Sequence, residues 1–219
     1  MSNKKTTTTH GTENESTSRI VKKLEKKVRE IEESYTDLVT LPPEIWRELR
    51  TLKIVFKNEK IPDLQLLEKF PNLTELVLHG PGKSRSVGPV SKKGPAKKAE
   101  ENPKDRCLLE DLSGIENCPR LKVLVIFGKF NLGSLAGLEN CQDLRIVFLS
   151  DMNCSISLLS SLPKLQKLTI SSIPVMEKVL EGNSWGDYPK LSSLVIEYCS
   201  PPKPETLAGL KVTSLKITG

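Results

Sequence analysis

The chain has 219 residues, 37% of them hydrophobic and 5% aromatic, and a formal net charge of +6. That is enough for one substantial core, while no apolar run approaches the roughly 20 residues a bilayer-spanning helix needs, so a membrane span is excluded. Five cysteines, an odd number with no C-x-x-C pair, and only two histidines, His10 and His79, argue against a disulfide framework, a multi-histidine metal site and a histidine-based triad.

Residues 1–17 are polar and lack the apolar middle of a secretory signal. They read as a disordered tail, and the expected compartment is the cytoplasm or the nucleus. The sequons at Asn72 and Asn153 are then chance matches, and the thiols are expected to be reduced. From 18 to 40, Val21, Leu24, Val28, Ile31, Tyr35 and Leu38 alternate in steps of three and four, which predicts an amphipathic helix. Two and a half heptads are short for a coiled coil, so this helix is expected to cap the N-terminal end of a monomer. The stretch LPPEIW then marks a turn, with Trp46 buried beside the first strand.

Residues 41–219 carry an internal period. The pattern L-x-x-L-x-L recurs around Leu52, Leu76, Leu124, Val147, Leu168, Leu194 and Leu215, in steps of 24, 48, 23, 21, 26 and 21 residues. The long step contains residues 81–106, rich in Lys, Pro, Gly and Ser, with eight cations against three acids. Removing those 26 residues leaves one ordinary repeat, so the segment reads as a disordered basic insertion within a repeat and not as a linker between domains. Beyond residue 106 the chain is close to neutral.

Each strand is preceded by a recurring phrase: FPNL, CPRL, CQDL, LPKL, YPKL. With the period, this resembles the leucine-rich-repeat family in its irregular, intracellular form. YPKLSSLVIEYC and FPNLTELVLHG resemble repeats of plant nucleotide-binding immune receptors, and LEDLSGIENCPRLKVL is similar to phosphatase-regulating and protozoan repeat proteins. The resemblance implies an α/β solenoid, a curved parallel sheet of about seven repeats behind the N-terminal helix cap, and an interaction role such as sensing in a defence response. The chain departs from the family three residues after the third leucine position, where Asn or Cys often bonds the turn. Pro81, Lys129, Met152 and Ile173 stand there and only Cys199 conforms, so irregular turns are expected. No nucleotide-binding domain accompanies the repeats, so ATP-driven switching is not implied. Cys118 and Cys141, each three residues before a strand, are expected in equivalent small buried slots. The chain stops two residues after Ile217, which suggests a barely covered C-terminal end, through truncation or a partner there.

In such repeats the leucine positions point inward and the intervening residues face the concave sheet. Those residues are polar at both ends of the solenoid. In the middle Val77, Val123, Val125, Phe127, Ile146 and Phe148 form an apolar area, the expected docking surface for a protein partner. Its cover could equally be the chain's own loop or N-terminal helix. The loop residues Lys83, Arg85, Lys92, Lys93, Lys97 and Lys98 are expected to supply electrostatic steering, toward an acidic protein or nucleic acid.

Gly82-Lys83-Ser84 superficially matches a phosphate-binding loop, but Val77 stands where that loop needs Gly and Gly88 and Pro89 oppose the helix that must follow. KIVF at 53–56 and RIVF at 145–148 resemble phosphatase-docking peptides, yet both fall inside predicted strands. The reading is a non-catalytic protein-binding or scaffold module with no cofactor or metal. The competing classes are a regulatory subunit of an enzyme such as a phosphatase, and a nucleic-acid-associated protein using the basic loop.

Overall fold

The computed structural model describes residues 30–34 and 60–61 in backbone, and residues 38, 40–57, 63–81, 107–173 and 175–218 in full. The expected disordered tail, most of the expected helix, and residues 82–106 of the basic insertion lie outside the described residues.

The seven leucine patterns become strands β2 (Thr51–Val55), β4 (Glu75–His79), β6 (Val123–Phe127), β8 (Ile146–Ser150), β9 (Lys167–Ser171), β10 (Ser193–Glu197) and β11 (Ser214–Thr218). With β1 (Glu30–Ser34) they build one parallel sheet in the order β1-β2-β4-β6-β8-β9-β10-β11. The repeat is also the register: Leu52 pairs with Leu76, Leu76 with Leu124, Leu124 with Val147, Val147 with Leu168, Leu168 with Leu194, and Leu194 with Leu215. A slip of one residue would turn every leucine outward, so burial of this column holds the register. From Leu52 to Leu194 all of these residues are fully buried. Each buried side chain contributes on the order of 1.5–3 kcal/mol, but only when a neighbouring repeat covers it.

The helix expected over 18–40 requires correction at 30–34. These residues form β1, parallel to β2, with Ile31 in register with Leu52. A helix could cover the edge of β2 only with side chains. A strand pairs directly with its exposed amides and carbonyls, and so extends the sheet to eight strands. Trp46, expected to be buried, is half-buried in the short helix α1 (Pro43–Glu48), with Lys69 Nζ 4.5 Å from its ring centre. The short helix that Pro43 starts rests one side of this ring on the core and leaves the other beside Lys69, at the end of the 65–69 turn.

The return segments are mostly single 3₁₀ turns: Gln65–Lys69, Ile115–Asn117, Leu138–Asn140, Ser157–Ser161, Trp185–Asp187 and Pro204–Leu207. One further short helix, α2, spans Met176–Val179. Cys118 and Cys141 both follow such a turn and are buried, with thiols 3.8–3.9 Å from carbonyls of the preceding repeat. Phe70 and Tyr188 close the equivalent turns, so the slot is equivalent as expected but not intrinsically small. Burial pushes both thiols up to about 12.

A second parallel sheet, with no counterpart in the sequence expectations, joins β3 (Lys60–Ile61), β5 (Cys107–Leu109) and β7 (Phe130–Leu132) in that order. Its strands are too short for an alternation signal. Phe130 anchors it, edge-on to Phe56 with ring centres 5.4 Å apart.

The turns after the strands are less irregular than expected. Gly128, Asp151, Ser172 and Tyr198, each the first residue beyond its strand, all take positive φ, at 93°, 57°, 55° and 56°. Backbone conformation thus supplies much of the uniformity that a repeated Asn would otherwise provide. Cys199 behaves as its position suggested, accepting the Ile173 amide at 3.3 Å and donating to the Glu197 carbonyl at 3.2 Å.

Candidate protein-docking surface on the concave face

Strand alternation buries Leu124 and Ile126 and leaves Val123, Val125 and Phe127 on the other face of β6, each half-buried. The register then gathers the sequence-predicted residues from three adjacent strands. Val77 pairs with Val125 and Val125 with Phe148, while Val123 pairs with Ile146. All six residues therefore share one face of β4, β6 and β8, with Ile146 the most open at 39% exposure. On β2 and β9 the same central row carries Lys53 and Thr169, which bounds the apolar area on both sides.

His79 belongs to this surface, although the sequence assigned it no role. It pairs with Phe127 across β4 and β6, and its ring stacks on the phenyl group at 4.2 Å between centres and 22° between planes. A histidine at the last position of a strand next to an aromatic one was the available signal. Beyond Phe148 the face turns polar and tight: Ser150, Thr169 and Ser171 are buried. Ser150 Oγ donates to Asp151 Oδ2 at 3.3 Å, and the Ser171 and Ser172 hydroxyls are 3.5 Å apart.

The basic insertion leaves and re-enters at the edge of this surface. The Gly80 amide donates to the Phe127 carbonyl at 2.8 Å, the Lys129 amide to the Pro81 carbonyl at 3.1 Å, and the Cys107 amide to the Lys129 carbonyl at 3.0 Å. Both roots of the insertion are thereby pinned to the backbone of Lys129. Lys83, Arg85, Lys92, Lys93, Lys97 and Lys98, and the Gly82-Lys83-Ser84 look-alike, all lie outside the described residues. β4 and β6 pair directly across the insertion.

The two phosphatase-docking look-alikes lie in β2 and β8, each already paired on both sides, so neither has a free edge to add to another sheet. Among the described residues no group of three or more His, Cys, Asp or Glu could hold a metal ion, and no helix is long and apolar enough to cross a membrane. The five cysteines are free and buried. An open cleft of about 700 Å³ lies beside α1, lined by Pro43, Glu44, Trp46, Arg47, Glu68, Lys69 and Pro71.

No protein-family model matches the chain, and no curated protein matches it. Among solved structures it is similar to an internalin from Listeria monocytogenes, at 18% identity and a TM-score of 0.48, covering 88% of this chain and 54% of that one. It thus spans about half the length of that internalin. It is also similar to internalin C2 of the same organism (16%, TM-score 0.42, 81% and 73% covered) and to the receptor in a TLR13–ssRNA13 complex (13%, TM-score 0.45, 83% and 34% covered). The chain's own register carries the assignment of fold: seven L-x-x-L-x-L strands in one parallel ladder, joined by short return turns around a single leucine column, form a leucine-rich-repeat solenoid.

Proposed function

We propose that the chain is a non-catalytic module that binds a protein partner on its concave face, around Val77, Val123, Val125, Phe127, Ile146 and Phe148. One observation carries this reading: an unbroken apolar area on three neighbouring strands, bounded in its central row by Lys53 and Thr169. Half-buried aromatic and aliphatic groups of this kind provide desolvated anchors for a partner, with charged residues at the rim. The buried free thiols favour a reducing compartment, in which the module works as a monomer, with the basic insertion steering partners from its root beside Phe127.

Affinity purification with the native chain, with Phe127→Asp, with Phe148→Asp and with residues 82–106 deleted tests this reading. The expected result is loss of the same partners with either aspartate and their retention after the deletion. Partners that survive both aspartates but vanish with the insertion would transfer the function to the basic segment.

A further inference from the structure

The strand ladder continues one residue ahead of the concave face. Backbone bonds run from Thr74 to Arg50, Lys122 to Thr74, Arg145 to Lys122, Gln166 to Arg145 and Ser192 to Gln166, at 2.8–2.9 Å. Adjacent positions on this row are therefore about 4.8 Å apart, and cations from different repeats fall side by side. Lys122 and Arg145 are exposed along it, and Lys167, exposed beside Gln166, stands one position further on, in register with Ile146. Arg120, Lys164 and Lys190 lie on the same edge, two residues ahead of Lys122, Gln166 and Ser192. The strip begins at β6, because β4 contributes the neutral Thr74 and the acidic Glu75.

Asp143 is the one carboxylate among these positions from β6 to β10. It is paired with Lys164, whose hydrogen bond holds its carboxyl below the usual range, with the charges of Lys164, Arg145 and Lys122 adding to the effect. The acids Glu110, Asp111, Glu116, Glu139, Glu177 and Glu181 sit instead in the return segments. A stretch that is close to neutral as a sequence is thus sorted by the fold into a basic strand edge and acidic returns.

This edge abuts the apolar area, since Lys122 precedes Val123 and Arg145 precedes Ile146. We propose that the two form one site for an acidic polypeptide segment with apolar anchors, lying across β6, β8 and β9. Its apolar side chains rest on Val125 and Phe148, and its carboxylates meet Lys122, Arg145 and Lys167. The proposal rests on the concave-face reading and adds the chemistry of the partner. A polypeptide fits better than nucleic acid because the groups next to the cations are Val123, Val125 and Ile146. These complement aliphatic and aromatic side chains but cannot read base edges.

Fluorescence anisotropy on the full chain tests it, with a labelled peptide alternating Glu and Phe, its Lys-for-Glu counterpart, and an oligodeoxythymidylate as probes. The acidic peptide is expected to bind in preference to both, and to lose roughly tenfold or more in affinity with Lys122→Glu plus Arg145→Glu. Lys122→Gln plus Arg145→Gln should give a smaller loss, and thermal melts should report intact folding of both variants. If Phe148→Asp abolishes peptide binding while charge reversal leaves it unchanged, the acidic assignment fails and the concave-face reading stands. If neither change matters, or the peptide does not bind, both fail. Tighter binding of the oligonucleotide, lost on charge reversal, would assign the strip to nucleic acid and overturn the proposal.

Discussion

Strands β6 and β11 carry the same inward pattern and meet opposite fates. In β6, Leu124 and Ile126 are 0% and 1% exposed; in β11, Leu215 and Ile217 are 48% and 40% exposed. β6 lies between β4 and β8, whereas β11 ends the described sheet with β10 as its one neighbour. A leucine in this architecture is therefore stabilised by the repeats that stack against it and not by its own motif, because a single repeat cannot close around its own side chains.

The most direct way to break the comparison is truncation at the matched positions. Leu124→Ala should cost about 3 kcal/mol in a urea titration, since it opens a cavity in the stack, while Leu215→Ala should cost less than about 1 kcal/mol. Equal losses would mean that β11 is covered in solution, by another segment or another molecule.

A smaller contrast is available at the glycines. Gly128 has φ 93°, and a Cβ there would lie 2.6 Å from the Gly80 carbonyl oxygen, where two repeats press together at the root of the insertion. Gly182 also has positive φ, at 68°, but nothing lies within 4 Å of a Cβ. Gly128→Ala should cost about 2–3 kcal/mol and Gly182→Ala only about 1 kcal/mol, the backbone share alone. Indistinguishable melting points would show that the two repeats can part at no cost.

The smallest effect concerns the stacked thiols. Burial raises Cys118 and Cys141 from 9.0 to about 12, so the unfolded chain ionises first as pH rises. Their stabilising contribution is complete below 9.0 and is lost as pH climbs through the folded value near 12. Denaturant midpoints compared at about pH 8 and pH 10 should fall less for Cys118→Ala plus Cys141→Ala than for the native chain. An equal fall would show that these thiols do not report on the core.

Much of the fold was legible because the leucine column has a simple period. Leu52, Leu76, Leu124, Val147, Leu168, Leu194 and Leu215 could be aligned by spacing alone, and that alignment is the observed register. The same alternation placed Val77, Val123, Val125, Phe127, Ile146 and Phe148 on one face. The heptad-like spacing around Ile31 pointed to a helix, whereas residues 30–34 pair as a strand, because an open sheet edge outweighs a local apolar stripe. β5 and β7 escaped notice because three residues carry too little pattern to separate strand from loop.

By itself, then, the sequence determined the repeat, the register and the face on which an apolar area falls, since each follows from local spacing and alternation. Only the tertiary structure decided which leucines are covered, that His79 stacks on Phe127, and that Lys122 and Arg145 stand side by side with Lys167 next to them on the neighbouring row. Those outcomes depend on contacts between residues some twenty or more positions apart, and stacking one repeat on the next is what creates them.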